Sequence, residues 1–156
     1  MEKDRLLKLA EHLENGRPGG HVEFYFGDWH RPLPPDERAT PQEPTHCGTL
    51  GCAVGECPVL WPEEWAFIDG YPRLRSVLGI SSVIGSAASF FGINIEDTVC
   101  LFTPGEYRWW WEPITASVLR STASAEDVAE SIRMYVAAVL ARENTTEVAS
   151  GKEEKV

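Results

Sequence analysis

Three of the four cysteines of this 156-residue chain, Cys47, Cys52 and Cys57, fall in one short run, with His46 beside the first of them. Thiolates and imidazoles are ordinary zinc ligands and ordinary nucleophile–base partners, so metal or covalent chemistry is sought here first. The spacing argues against a metal. Zinc sites usually bring ligands in tight pairs two to four residues apart, followed by a second pair. Here the pattern is Cys-x4-Cys-x4-Cys with no matching distal pair. Side chains of adjacent residues rarely face each other, so a Cys47 nucleophile would need a distant base such as His21 or His30 rather than His46. The same run holds Gly48, Gly51 and Gly55. It reads as a thin helix with Thr49 as N-cap and residues 50–56 as its body, which another backbone or a ligand can approach closely. Packing is therefore the leading reading for His46, Cys47, Cys52 and Cys57. A small metal- or thiol-dependent hydrolase using His46, Cys47 and Cys52 is the alternative. The leading reading expects no metal, no cofactor and no catalytic residue.

Paired carboxylates for acid–base work occur at Glu63/Glu64, Glu96/Asp97 and Glu126/Asp127. Each pair falls where a first helical turn is expected, and the helix dipole accounts for acids there. Neither a Walker-type loop nor a Gly-x-Gly-x-x-Gly pattern is present, which argues against the common nucleotide-handling enzymes. The stronger signal is aromatic. The run Tyr107-Arg108-Trp109-Trp110-Trp111 puts four rings in five positions, more than one face of an element can hide. Tyr and Trp offer large rigid contact areas, Arg108 can pair with a carboxylate or phosphate, and the rings can stack on a small nucleotide. Tyr107, Arg108, Trp109, Trp110, Trp111 and Trp29 are the expected ligand- or partner-binding residues. Trp61 and Trp65 are further rings that such a surface could recruit.

The elements that must position these residues are mostly helices. Leu6, Leu9, Ala10 and Leu13 recur at helical spacing over residues 2–14, and Asn15-Gly16 supplies a stop. Residues 21–26 read as a short extended aromatic segment. Pro32, Pro34, Pro35, Pro41 and Pro44 make residues 31–44 an extended loop. Residues 60–68, with Pro62 followed by two acids, read as a short helix or turn. Val83, Ile84, Ala87, Ala88 and Phe91 form one apolar face over residues 81–91, ending at Gly92. Asn94 caps a helix over 95–102 with Val99 and Phe102 inward, so the two helices pair about Gly92-Ile93-Asn94. Ser124 and Asp127 form a capping box that opens a long helix from Ala125 to about Arg142. Its stripe is Val128, Ile132, Tyr135, Val136, Val139 and Leu140. The expected fold is mainly α: a compact single-domain helical bundle with one or two short extended or β segments. The globular domain is expected over residues 1–142, and residues 143–156 are expected to be a disordered tail.

Composition narrows the partners. A net charge of −10 opposes direct nucleic-acid binding, because phosphate contacts depend on Lys and Arg. It suits a partner whose own groove is basic. No apolar run approaches the roughly 20 residues a membrane helix needs, and Met1-Glu2-Lys3-Asp4-Arg5 lacks the apolar core of a signal peptide. The expected location is the cytoplasm of the expressing host cell, with reduced cysteines.

The run Cys47-Gly48-Thr49-Leu50-Gly51-Cys52-Ala53-Val54-Gly55, followed by Phe90-Phe91-Gly92-Ile93, Leu101-Phe102 and a Ser-capped final helix, resembles a group of small bacteriophage and mobile-element proteins. Those uncharacterised chains share a Cys-Gly-Thr-x-x-Cys-x-x-Gly core segment, and the similarity covers roughly residues 5–142. The proline-rich loop and the Tyr107–Trp111 run depart from the pattern. The resemblance implies an accessory role in a host, including antagonism of host defence, and lends no catalytic residues. The expected function is a non-enzymatic accessory protein that binds a host protein or sequesters a small nucleotide-like signal. A structural protein assembling as a homo-oligomer through its tryptophans is a further alternative.

Overall fold

Apolar residues at helical spacing make α1 (Lys3–Glu14), whose Leu6, Leu9, Ala10 and Leu13 are buried while charges fill its other face. The helix ends as Asn15-Gly16 suggests. The Asn15 N–H donates to Glu11 O at 3.0 Å, and Gly16 takes a left-handed φ of 73°. The computed structural model describes residues 1–20, 52–69, 71–76, 82–103 and 123–150. The expected extended segment at 21–26 and the loop at 31–44 lie outside the described residues.

The glycine–cysteine helix differs from expectation. Cys52 is extended (φ −83°, ψ 173°), a 3-10 turn covers Ala53–Glu56, and α2 follows at Cys57–Leu60. Residues 49–51, with the expected cap Thr49, lie outside the described residues, and over 52–56 an extended residue and a 3-10 turn stand in place of the expected α-helix. Pro58 supplies the reason for the tight turn: it has no N–H to donate to Val54 O, and the Cys57 N–H takes that carbonyl instead. The next segment is also a correction. Trp65–Ile68 is a strand, β1, paired antiparallel with β2 (Tyr71–Leu74) in the register Trp65↔Leu74 to Ile68↔Tyr71. Asp69, with φ 53°, turns the hairpin. Arg75 closes its open end, its N–H donating to Glu64 O at 2.8 Å and its Nε reaching Pro62 O and Trp65 O at 3.1 Å each.

The helix pair follows the capping signals. In α3 (Val83–Phe91) the Ser82 hydroxyl accepts from the Gly85 N–H at 2.9 Å, and Gly92 ends the helix at φ 61°. In α4 (Ile95–Phe102) Asn94 Oδ1 accepts from the Asp97 N–H at 2.7 Å. Its buried residues are Thr98, Leu101 and Phe102, with Val99 half-buried. The capping box of α5 (Ala125–Ser150) is present in both directions. The Ser124 N–H donates to Asp127 Oδ2 at 2.8 Å and the Asp127 N–H to Ser124 Oγ at 3.2 Å. The helix continues beyond Arg142 through residues 143–150, where a disordered tail was expected. Residues 144–149 contain neither Gly nor Pro, so no breaker stands at the expected end.

Among the described residues the protein is mostly helical, with five α-helices and one two-stranded sheet. The core joins the apolar face of α1 to Phe90 and Phe91, Leu101 and Phe102, and the α5 stripe Val128, Ala129, Ile132, Tyr135 and Val136. Rings meet edge to face along it: Trp61 with Phe90 at 4.9 Å, Trp65 with Phe90 at 5.3 Å and Phe90 with Phe91 at 5.1 Å. The Glu2 N–H donates to Phe91 O at 2.8 Å, fixing the start of α1 against the end of α3. None of the described helices is long and apolar enough to cross a membrane.

Candidate functional site

Two of the sequence-flagged cysteines are brought to one place. Cys52 precedes the 3-10 turn and Cys57 follows it, both as free thiols inside the core. Burial pushes the Cys52 thiol up from 9.0 to about 11, with the nearby backbone of Gly55 and Val54 opposing and the Glu56 carboxylate adding to the rise. Cys57 is raised for the same first reason, with Cys52 and Glu56 as further causes. Both are therefore protonated at neutral pH, and the nucleophile and metal ligand is the thiolate. No group of three or more His, Cys, Asp or Glu side chains among the described residues is arranged to hold a metal ion. His46 and Cys47 lie outside the described residues.

Between these thiols stands Glu56, with no exposed surface. Its Oε2 lies 2.9 Å from His12 Nε2, the imidazole side chain being only 5% exposed. An ionised carboxylate only accepts, so the imidazole nitrogen is the donor. Arg17 Nη1 lies 4.0 Å from Glu56 Oε1. Gly20 passes so close that a Cβ there would overlap Glu56 Oε2. An imidazole oriented by a carboxylate is the arrangement of a general base, whose working nitrogen is the one facing away from the carboxylate, but the whole His12 side chain is only 5% exposed. As it stands, the pair braces α1 against the 3-10 turn.

Sequence reasoning missed this cluster, although signals for it exist. His12 sits beside Leu9 and Leu13 on the apolar side of α1, and Glu56 is a lone charge between Gly55 and Cys57. A buried charge requires a partner, and those two residues are each other's.

The aromatic positions divide. Trp65 is fully buried against Phe90, so it belongs to the core rather than to a contact surface. Trp61 is half-buried, with Lys8 Nζ 5.3 Å from its ring centre. Tyr107, Arg108, Trp109, Trp110, Trp111 and Trp29 lie outside the described residues. The carboxylate pairs take structural places. Glu96/Asp97 and Glu126/Asp127 occupy first turns of α4 and α5 as expected. Glu63 and Glu64 precede β1 instead of opening a helix, and Glu64 Oε2 accepts from Arg5 Nη2 at 3.0 Å. A shallow open groove between α1 and α5 is lined by Asp4, Lys8, Glu11 and Arg133 among others. Its floor is tied by Arg133, whose Nε and Nη2 donate to the two Glu14 oxygens at 2.8 and 2.6 Å.

No protein-family profile matches the chain, and no curated protein or solved structure is significantly similar to it.

Proposed function

We propose that this chain is a non-enzymatic accessory binding protein of phage or mobile-element origin. It acts in the cytoplasm of the expressing host cell, by occupying a host protein or by sequestering a small nucleotide-like signal. Its helices form one compact bundle that carries a contact surface made by Trp29 and Tyr107–Trp111. The observation that carries this reading is the state of the thiols. Cys52 and Cys57 are enclosed in the core and held protonated by burial, which suits packing and opposes their use as nucleophiles or ligands. That leaves the rings of the aromatic run as the best-suited contact chemistry in the sequence.

A thermal-shift screen of the full chain against nucleotides, cyclic nucleotides and divalent metals tests it. Support would be stabilisation by a nucleotide that is lost in Trp109→Ala/Trp110→Ala while the unliganded melting temperature is kept. Stabilisation by zinc that is lost in Cys52→Ser, together with metal-dependent turnover, would overturn it in favour of the hydrolase.

A further inference from the structure

The turn leaving α1 takes left-handed backbone conformations at Gly16 (φ 73°), Arg17 (φ 56°) and Gly19 (φ 75°). Glycine does this freely, whereas an arginine does it against a steric cost. A strained non-glycine residue persists only where its surroundings hold it. Here the Arg17 N–H donates to His12 O at 3.0 Å, and the Arg17 carbonyl accepts from the Gly20 N–H at 2.8 Å. The guanidinium lies 4.0 Å from the Glu56 carboxylate. Gly20 then lies against that same carboxylate, where an added Cβ would have to displace Glu56 Oε2.

We propose that Glu56 is a charge-held latch: its buried carboxylate, hydrogen-bonded to His12 and with the Arg17 guanidinium 4.0 Å away, keeps the 16–20 turn closed against the 3-10 turn. The negative charge, rather than the bulk of the side chain, holds the latch shut. Cys52 and Cys57 flank Glu56 as neutral thiols and add no competing charge at neutral pH. The latch goes beyond the function proposed above and does not depend on it. The latch itself is tested separately.

Hydrogen exchange of the full chain at neutral pH reads it directly. Glu56→Gln keeps the side-chain length and an acceptor for His12 but removes the charge. The amides of Arg17 and Gly20 should then exchange at least ~10-fold faster while those of α3 and α4 keep their protection. Unchanged exchange at Arg17 and Gly20 would overturn the latch, as would an equal rise through the whole core. If Glu56→Gln does not fold, substitutions at Arg17 decide. Arg17→Met loses the charge and keeps the left-handed cost, so it should open the turn. Arg17→Gly loses both and reads the backbone cost alone. Because both of these lack the cation, the deciding comparison is Arg17→Met with Arg17→Lys, which keeps the charge and the same left-handed cost and should hold the turn closed; equal exchange in Arg17→Met and Arg17→Lys would overturn the proposal.

Discussion

His12 and Glu56 form the most consequential pair in the described residues, because each is buried and each supplies what the other needs. Removing His12 takes from the buried Glu56 carboxylate its 2.9 Å hydrogen bond while Arg17 stays beside it, at a cost of about 2 kcal/mol. We expect His12→Ala to lower unfolding stability by that order, measured by denaturant titration. A loss indistinguishable from a surface alanine substitution would contradict the pairing. The pair was only half legible in the sequence. The apolar stripe of α1 could be counted from Leu6 to Leu13, but which charge His12 meets depends on the fold bringing residue 56 beside residue 12. The thiols carry a pH signature of their own. Cys52 is raised from 9.0 to about 11 by burial, so its contribution to stability is fully present below pH 9. As pH rises from 9 toward 11 only the unfolded chain releases the proton, and about 2–3 kcal/mol is lost across that window. Chemical denaturation between pH 8 and pH 11 should show this fall. In Cys52→Ala, stability is lower throughout but declines less steeply.

At the scale of elements, two side-chain ties among the described residues stand out between α5 and its neighbours. Its Tyr135 hydroxyl donates to Asp97 Oδ2 at 2.9 Å, and that same oxygen accepts from Asn94 Nδ2 at 2.9 Å in the cap of α4. Tyr135→Phe keeps the ring and removes the bridge. It should cost about 1 kcal/mol in equilibrium unfolding without changing the helical signal. A neutral result would mean the bridge contributes nothing net. The second tie, Glu14 with Arg133, is exposed and should be weak and sensitive to salt. Caps were the readable part of these elements. Asn94 and Ser124 act through short-range hydrogen bonds that the sequence displays within three residues, and Ser82, not read as a cap from the sequence, does the same for α3. The hairpin was passed over although Asp69-Gly70 is a strong two-residue turn signal. Pro62-Glu63-Glu64 drew attention to a helix start, while Trp65-Ala66-Phe67-Ile68 carried the strand propensity. The α-helix expected over residues 50–56 gives way to a 3-10 turn over Ala53–Glu56 for a local reason as well. Pro58 withholds the N–H that would bond Val54 O in α-helical fashion, and the Cys57 N–H takes that carbonyl in the tighter turn.

Across the molecule, the long α5 is set against the shorter α1. At about 1.5 Å per residue, the 26 residues of α5 span about 39 Å and the 12 of α1 about 18 Å. Ala141–Thr145 are exposed, so this end of the helix projects from the core. The helical class followed from periodicity. Which rings are interior did not, because Trp65 lies in a strand whose phase was not recognised, and it is fully buried. The functional account places binding on Trp29 and Tyr107–Trp111 and gives the cysteines to packing. Native mass spectrometry of the full chain, purified gently from the expressing cells, tests this most directly. The account predicts a species heavier than the 17.4 kDa chain by a bound protein or small molecule, reduced to the bare chain by Trp109→Ala/Trp110→Ala/Trp111→Ala. A bare chain in both proteins, or one zinc retained equally by both, would contradict it.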